Sequence, residues 1–245
     1  MGMQVRFLGV GDSTDEKNPT TSILIRSSSN LLLDCGYSAP QHLWQQSTDP
    51  NFLDGLVLSH RHGDHLLGVP AVLLRMVQDK RTRPLTIAGN AQALAGVRKL
   101  MELCFPNTLE KARFDLTFHA APKPLFVGAL KLSFAPSVHS VPNHAVRVQE
   151  AGKVVCYSGD GAPTTNTIAL YKNANVLIHE AYTVAEQLPD HASIEQLLAL
   201  AQEAAIGKLA LVHVRRDVRS SKDVPAAMRL SKKVLLPKSG ERLRV

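Results

Sequence analysis

The first 60 residues alternate short apolar runs with polar turns, which is the pattern typical of β-strands. It predicts strands at residues 5–8, 21–26, 31–34 and 56–59, and it indicates a polar loop at residues 12–20. This part of the chain therefore predicts a β-sheet.

Helical spacing of apolar residues appears in three later stretches. Residues 66–78, 91–104 and about 193–205 repeat apolar side chains every three or four positions, which predicts amphipathic helices. Further strands are predicted at residues 85–88, 114–118, 130–134, 145–148, 154–158, 176–178 and 209–212. Strands and helices are thus interspersed, which predicts an α/β fold. No Pro/Gly/Ser-rich linker divides the chain, so we expect residues 1–245 to form a single domain.

The composition excludes several classes of protein. With 245 residues, 44% of them hydrophobic and 20% charged, the chain can bury the core of an ordinary globular protein. It contains no run of roughly 20 apolar residues of the kind that crosses a bilayer, and residues 1–10 lack the apolar segment of a signal peptide. Cys35, Cys104 and Cys156 form no Cys-x-x-Cys pair. We therefore expect a cytoplasmic protein with reduced thiols and no membrane partner.

The positive charge is concentrated in the last part of the sequence. Residues 214–245 contain ten Lys/Arg and three Asp/Glu, a balance of +7 that equals the net charge of the whole chain. Such a segment can attract phosphate-bearing ligands, or it can be a solvated surface that keeps the protein soluble. The sequence leaves both interpretations open.

Three histidines and an aspartate lie within six residues, in the pattern His60-x-His62-x-Asp64-His65. An apolar run at residues 56–58 precedes them, as expected for a buried strand that presents residues in a cleft. Two imidazoles at i and i+2 on an extended segment can share one metal ion. Gly63 permits a turn that sends the next carboxylate and imidazole to a second ion about 3.5–4 Å away. A metal-free surface cluster is the alternative, but ligands packed this tightly favour a metal site.

Three later strands each lead to a histidine or an aspartate, at His139, Asp160 and His213. A lone histidine at the end of a strand is more often structural than a metal ligand. With a metal motif already present, strand ends that supply the remaining ligands are the better interpretation. Neutral imidazole and carboxylate ligands suit zinc, and manganese and iron are the alternatives.

These motifs, in this order, resemble the metallo-β-lactamase superfamily, and within it ribonuclease Z and its relatives. The matching segments are residues 5–11, 32–36, 62–70, 84–87, 157–160, 179–182 and 191–193. The resemblance spans nearly the whole chain. It implies a four-layer αββα sandwich of the metallo-β-lactamase type, in which helices flank two mixed sheets.

The resemblance also implies two divalent metal ions, with zinc expected. The first ion would be bound by His60, His62 and His139, the second by Asp64, His65 and His213, and both by Asp160. Asp34 would orient the metal-binding loop without binding a metal itself. The other histidines are expected to be structural or to lie at the surface, namely His42, His119, His144 and His179. His144, five residues after His139, is the one that could instead line the pocket.

For catalysis, the resemblance implies that a hydroxide held between the two ions is the nucleophile, because bound water can have its pKa lowered to about 7. His191 would donate a proton to the leaving oxygen, and Glu180 would hold or polarise His191. Asp64 would also orient the hydroxide. The alternatives are structural: a capping or salt-bridged carboxylate for Glu180, and a residue at the start of a helix for His191.

The chain departs from ribonuclease Z where the family contacts its substrate. Bacterial members usually insert a long arm that grips tRNA between the third and fourth motifs, but only 20 residues separate His139 from Asp160. Residues 191–193, Tyr182 and residues 213–216 also differ from the usual motifs. The chemistry is therefore better defined by the sequence than the substrate is.

The resemblance implies a phosphodiesterase that cleaves a nucleotide or RNA phosphodiester. Two alternatives stay open at this point. One is a hydrolase of another small ester, such as a sulfate ester, thioester or lactone, and the other is a metal-containing binding or regulatory module without turnover. Because relatives commonly pair, we also expect a homodimer.

Overall fold

A computed structural model describes residues 2–229 and 231–245. The strands within them are β1 (Gln4–Gly9), β2 (Ser22–Arg26), β3 (Asn30–Leu33), β4 (Gly55–Leu58), β5 (Leu85–Gly89), β6 (Leu116–Ala120), β7 (Leu125–Val127), β8 (Leu130–Ser137), β9 (Asn143–Glu150), β10 (Lys153–Tyr157), β11 (Val176–Glu180), β12 (Lys208–Val212), β13 (Val234–Leu235) and β14 (Arg242–Arg244). The helices are α1 (Ala39–Trp44), α2 (Gly63–Leu66), α3 (Val69–Gln78), α4 (Ala91–Cys104), α5 (Thr165–Tyr171), α6 (Ile194–Glu203), α7 (Arg216–Arg219) and α8 (Asp223–Met228), with a 3-10 turn at Leu109–Lys111.

Two seven-stranded sheets form the centre of the described chain. The first has the strand order β14-β1-β2-β3-β4-β5-β6, and the second has the order β13-β12-β11-β10-β9-β8-β7. Strands β14 to β3 pair antiparallel and β3 to β6 pair in parallel. In the second sheet β7 to β10 pair antiparallel and β10 to β13 in parallel. The strand ends of each parallel half therefore lie along one edge of its sheet.

Three apolar layers hold the sandwich together. Leu31 and Leu33 of β3 pack between the two sheets, against residues of the second sheet such as Val155. Leu32, which points to the other face of β3, packs with the residues of α1 and α3. A third layer packs the outer face of the second sheet against α6. The predicted four-layer αββα sandwich is therefore confirmed.

The helix expected at residues 66–78 is divided into α2 and α3. Gly68 lies between them, and it passes so close to the chain after β3 that a Cβ atom would lie 2.2 Å from the carbonyl oxygen of Gly36. Pro70 stands in the first turn of α3, where its missing N–H costs no helical hydrogen bond. At the break, the chain that follows the metal motif packs against the chain that follows β3.

Candidate metal centre and active site

The predicted metal ligands converge where strand ends of the two sheets meet. β4 leads to residues 59–65, β8 to His139, β10 to Asp160 and β12 to His213. The backbone N–H of His213 donates a 3.0 Å hydrogen bond to the carbonyl oxygen of Val10, just after β1. The candidate site therefore lies at the edge of the sandwich where strand ends of both sheets meet, and it contains residues that follow strands of both.

The first group contains His60, His62 and His139, whose ligand atoms all lie within 4.8 Å of one another. His62 Nδ1 is 3.1 Å from His60 Nε2 and 3.2 Å from His139 Nε2. Three imidazole nitrogens this close together form a suitable donor set for one divalent ion. The structure thus brings together the first predicted set.

The second group contains Asp64, His65, Asp160 and His213, all of them buried and also with ligand atoms within 4.8 Å of one another. His65 Nε2 is 3.1 Å from Asp64 Oδ2 and 3.2 Å from Asp160 Oδ2. His213 Nε2 lies 3.2 Å from each of the same two carboxylate oxygens. The second predicted set is therefore also assembled.

Asp160 lies between the two groups. Its Oδ2 atom is 3.7 Å from His60 Nε2, in addition to its contacts in the second group. Gly159 has a φ of +61°, and a Cβ there would lie 2.3 Å from Asn143 Oδ1, so only glycine gives this approach to Asp160. Asp160 Oδ1 and His65 Nε2 are buried without a hydrogen-bond partner in the described chain. Such atoms are costly to leave unpaired, and divalent cations would satisfy them, so the residues fit a metal centre.

The buried Asp34 connects the metal motif to the rest of the fold. Its Oδ2 atom accepts hydrogen bonds from His65 Nδ1 at 2.7 Å, Ser59 Oγ at 2.6 Å and Tyr157 OH at 2.7 Å. Because Nδ1 of His65 is used in this way, its Nε2 atom is presented to the second group. This is the usual arrangement of a metal-binding histidine whose other nitrogen pairs with a carboxylate.

Two histidines of the first group are oriented similarly. His60 Nδ1 lies 2.9 Å from Ser59 Oγ, which itself donates to Asp34. His139 Nδ1–H donates to the carbonyl oxygen of Asp190 at 3.2 Å. Both rings therefore direct Nε2 toward the other ligands of the site.

Burial and neighbouring charges shift the pKa values of these groups in different directions. Burial, together with the nearby His65, lowers the pKa of His60 well below its usual value. Burial also lowers the pKa of His62. For His213, burial acts downward, but the charge of Asp160 and the hydrogen bond to Asp64 raise its pKa to about 9. Metal binding requires neutral imidazole, so His213 would lose a proton when a cation binds, whereas His60 is already neutral.

Glu180, the last residue of β11, is fully buried and held by backbone N–H groups. Oε1 accepts hydrogen bonds from Ala192 at 2.8 Å and Gly161 at 3.2 Å, and Oε2 accepts one from Tyr182 at 3.1 Å. The same Oε1 atom is 3.4 Å from His191 Nδ1. The carboxylate therefore fixes the loops that carry Asp160 and His191, and it also contacts His191 itself.

His191 lies beside the first metal-ligand group. Its ring centroid is 5.0 Å from that of His139. The ring of Tyr182 stacks against His191, with a centroid distance of 4.4 Å and an interplanar angle of 22°. Burial acts to lower the pKa of His191, but Glu180 raises it above the usual value. A protonated imidazole in this position can donate a proton to a leaving oxygen.

The remaining histidines lie outside both ligand groups. His179 is buried and its Nδ1–H donates to the carbonyl oxygen of Glu180 at 2.7 Å. His144 Nδ1 is 3.3 Å from the side-chain nitrogen of Asn90. His119 contacts a backbone carbonyl, and His42 lies in α1.

Sequence reasoning did not single out Tyr157, which contacts Asp34. One signal was available: a tyrosine at the end of an otherwise apolar strand requires a partner for its hydroxyl when it is buried. The carbonyl of Asp190 was also missed, because a backbone group carries no sequence signal.

The interval between His139 and Asp160 contains β9, β10 and the two-residue turn Ala151-Gly152 between them. No arm is inserted there, as the short spacing predicted. Within residues 2–229 and 231–245, no helix is long and apolar enough to cross a membrane.

Comparison with known proteins identifies the family. Residues 3–235 match the family described as anti-Pycsar protein Apyc1. The chain belongs to this family. The match covers the strands and loops that supply every residue of both ligand groups.

This Apyc1-family protein is also similar to ribonucleases and to solved metallo-β-lactamase folds. Ribonuclease Z of Methanosarcina acetivorans is 25% identical over 291 aligned positions, which cover 95% of this chain and 93% of the relative. The metallo-β-lactamase fold protein YhfI of Bacillus subtilis superposes with a TM-score of 0.84 at 24% identity, and all of both chains is covered. The short form of human tRNase Z gives a TM-score of 0.81 at 19% identity, with 99% of each chain covered.

These similarities confirm the predicted superfamily and fold. The chain is a ribonuclease Z-like member of the metallo-β-lactamase superfamily, and it is a metal-dependent hydrolase. The clusters of histidine and aspartate between its sheets are its candidate metal-binding residues.

Proposed function

We propose that this Apyc1-family protein is a dinuclear phosphodiesterase that cleaves a phosphodiester bond in a nucleotide or RNA. The observation that carries the proposal is the geometry around Asp160, whose carboxylate contacts both ligand groups while His191 stands beside the first. The ribonuclease relatives favour a phosphodiester substrate. The absence of an arm between β9 and β10 favours a small nucleotide or an RNA end over a folded tRNA body.

Each group would hold one divalent ion, and Asp160 would contact both. Zinc is the ion we expect, since histidine nitrogen and carboxylate oxygen are its usual ligands, and the same donors accept manganese or iron. Ions held there would supply Lewis acidity, which lowers the pKa of nearby water and offsets the negative charge that develops on the phosphoryl group.

The protein groups around the centre have distinct tasks in this proposal. Asp64, whose Oδ2 lies 3.1 Å from His65 Nε2, would hold the second ion and orient the attacking water. His191 would protonate the leaving oxygen, and Glu180 would keep it protonated and aimed, since its Oε1 is 3.4 Å from His191 Nδ1. We further expect the protein to work in the cytoplasm and as a homodimer.

Metal analysis and turnover of bis(p-nitrophenyl) phosphate test the proposal. Elemental analysis of metal-loaded protein should give about two divalent ions per chain, and Asp64→Ala should remove most turnover while the protein stays folded. His42→Gln, a change in α1 outside both groups, is the control and should keep the wild-type rate. Faster turnover of aryl sulfates or thioesters would favour another ester as the substrate. A folded, metal-loaded protein without any turnover would favour a binding module.

A change of leaving group tests the role of His191 separately. An RNA or alkyl phosphodiester releases an alkoxide that needs a proton, whereas p-nitrophenolate leaves readily without one. We therefore expect His191→Gln to slow cleavage of the alkyl diester by about 10²–10⁴-fold and to slow bis(p-nitrophenyl) phosphate far less. Equal losses on both substrates would contradict proton donation by His191 and favour a purely structural role.

A further inference from the structure

Three segments that differ from the usual ribonuclease Z motifs meet at the side chain of Tyr182. The Tyr182 ring stacks on His191, with ring centroids 4.4 Å apart and an interplanar angle of 22°. The guanidinium carbon of Arg215 lies over the same ring, 5.7 Å from its centroid. Tyr182 itself, residues 191–193 and residues 213–216 are therefore neighbours in space, and His191, the proposed proton donor, is among them.

Glu180 alone does not fix the plane of the His191 ring. Nδ1 of His191 is 3.4 Å from Glu180 Oε1, but it is buried without a hydrogen-bond partner among the described residues. Oε1 already accepts the N–H groups of Ala192 and Gly161. The attraction of Glu180 acts at one atom of the ring, and rotation of a histidine ring about its own bond is broad when nothing else restrains it. Another neighbour must therefore hold the plane.

The stacked ring of Tyr182 provides that restraint. Because the two rings are nearly parallel and in contact, His191 cannot turn its plane without an overlap of atoms. The backbone keeps the rings side by side: the N–H of Tyr182 donates to the carbonyl oxygen of Ala192 at 2.9 Å, and the N–H of Ile194 donates to that of Thr183 at 2.9 Å. These bonds do not involve the tyrosine ring, so its substitution leaves the two segments in register.

Arg215 in turn restrains Tyr182. Its Nε atom donates to Asp217 Oδ1 at 2.7 Å, and another of its guanidinium nitrogens donates to Oδ2 at 3.1 Å. This two-bond pairing fixes the plane of the guanidinium group, whose charge is attracted by the face of the Tyr182 ring. A series of contacts thus runs from the exposed Asp217 through two side chains to His191.

Core packing does not account for the Tyr182 ring. Tyr182 is only partly buried and belongs to none of the three apolar layers of the described chain. Ala181 and Val184, close to it in sequence, do pack in the third layer. Since its ring contacts a histidine and an arginine instead, orientation of the histidine is the better explanation for a tyrosine at this position.

We propose that Tyr182 is a positioning residue that fixes the plane of the His191 ring for proton transfer. With Nδ1 of His191 facing Glu180, Nε2 lies on the other side of the ring and is the nitrogen that donates. The ring of Tyr182 maintains this direction, and its hydroxyl group takes no part. The inference rests on the proposed phosphodiesterase function and extends it from the proton donor to the residue that aligns the donor.

Cleavage of two kinds of ester tests the role of Tyr182. The first is an alkyl phosphodiester, taken as a dinucleotide or a 3′,5′-cyclic nucleotide, whichever the wild type cleaves; the second is bis(p-nitrophenyl) phosphate, whose leaving group needs no proton. We expect Tyr182→Leu to lower kcat for the alkyl diester by about 10–100-fold, since a slightly misplaced group can cost about 100-fold. The same variant should slow bis(p-nitrophenyl) phosphate by less than about threefold.

Tyr182→Phe retains the stacked ring and is the conservative variant. It should stay within about twofold of the wild type on both esters. A large loss in this variant would show that the hydroxyl group acts in the reaction and would overturn the proposal. Equal losses on both esters in Tyr182→Leu would show a merely structural role and would also overturn it.

A double variant tests whether Tyr182 acts through His191. Added to His191→Gln, Tyr182→Leu should slow the alkyl diester by no more than about twofold further, because no donor is left to align. A further loss as large as that in the single variant would overturn the proposal. Phe126→Leu changes an exposed aromatic ring on β7 and is the matched control, which should keep both rates. Loss of metal from Tyr182→Leu, measured by elemental analysis, would assign its effect to the metal centre and would overturn the proposal too.

Nuclear magnetic resonance of the His191 ring gives a readout that needs no turnover. The ring current of Tyr182 should shift the His191 ring-proton signals upfield in the wild type, and their absence in His191→Gln assigns them. Tyr182→Leu should lose this shift and broaden the signals as the ring takes several orientations, whereas Tyr182→Phe should keep it. Sharp, unchanged signals in Tyr182→Leu would overturn the proposal. A wild type that cleaves neither ester would sink the phosphodiesterase alone, and the spectra would then decide whether Tyr182 orients His191.

Discussion

Asp34 illustrates how much of the candidate site depends on one buried carboxylate. Its Oδ2 atom receives three hydrogen bonds, from a histidine of the second group, from the serine that orients the first group, and from a tyrosine of the other sheet. A carboxylate accepts all of them because it has lone pairs and no proton to place. Asp34 therefore controls the orientation of both groups without belonging to either.

We predict that Asp34→Asn weakens metal binding by about 10–100-fold, because partners of metal-binding histidines typically have effects of that size. The asparagine amide would also direct an N–H donor toward buried groups that are themselves donors, so we expect a loss of about 1–3 kcal/mol in the free energy of unfolding. Competition with a chelator measures the first effect and thermal unfolding the second. Tyr157→Phe, which removes a single hydrogen bond to Asp34, is the control and should lose less metal affinity and less stability. Unchanged metal affinity in Asp34→Asn would contradict the orienting role.

At the scale of residues, the sequence predicted the metal ligands better than it predicted the groups that orient them. The seven predicted metal-binding residues are brought together because they follow apolar strands: four lie in the loop and short helix after β4, and the other three follow β8, β10 and β12. That pattern is visible in the sequence. Tyr157 and the carbonyl of Asp190 were not predicted, since their contacts join distant segments. Glu180 was predicted, but its three backbone hydrogen bonds, which fix two loops, were not.

At the scale of elements, long periodic segments were predicted well and short ones were missed. The helix at residues 91–104 corresponds to α4, where Asn90 caps the first turn by accepting the N–H of Gln92 at 2.8 Å. The two-residue strand β13 and the three-residue strands β7 and β14 were not predicted. Strands this short are stabilised mainly by pairing with distant residues, as β14 is by β1, and local sequence contains little information about it.

The helix α5 was also missed, although its first turn is capped in the structure. The side chain of Thr164 accepts the N–H of Thr167, and the side chain of Thr167 accepts the N–H of Thr164. Threonine at both positions departs from the usual Ser/Thr with Glu/Gln three residues later, so the signal is weak in the sequence. The cap nevertheless fixes the chain just after Asp160.

We predict that Thr164→Ala destabilises the protein by about 1 kcal/mol, the usual cost of losing an N-cap. For a protein of this size that loss lowers Tm by about 2–4 °C. Thr165→Ala, an exposed position with no such contact in α5, is the matched control and should leave Tm nearly unchanged. Thermal unfolding followed by circular dichroism distinguishes the two. A similar Tm shift in both variants would mean that the cap contributes little.

At the scale of the whole molecule, the metal centre lies between the sheets and changes how stability depends on pH. Without metal, protonated His213 is held by Asp160 and Asp64, and its pKa is raised to about 9 from an unfolded value of about 6.5. A raised pKa contributes stability that is complete below about pH 6.5 and is lost as the pH rises through about 9. His65, whose pKa is also raised against the effect of burial, by Asp160 and Asp34, acts in the same direction.

We therefore predict that protein kept in EDTA loses on the order of 1–3 kcal/mol of unfolding free energy between pH 6.5 and 9. The unfolding free energy of metal-loaded protein should instead rise over this range, because the ions must displace protons from the same imidazoles. Urea unfolding at the two pH values, with and without metal, measures both. His213→Gln in EDTA should have a flatter pH dependence than the wild type. If the unfolding free energies of the metal-free and metal-loaded protein changed with pH in the same way, this account would be contradicted.

The placement of the ligands along the chain also has a consequence for synthesis. Residues 60–65 are made first, whereas His139, Asp160 and His213 follow β8, β10 and β12 of the second sheet. The partner strand of β1 comes later still, at residues 242–244. A nascent chain that ends near residue 120 therefore contains two residues of each ligand group and a first sheet with an open edge. The first ion could be coordinated once residue 160 has emerged from the ribosome, but the second ion needs His213, so the two sites would be completed one after the other during synthesis.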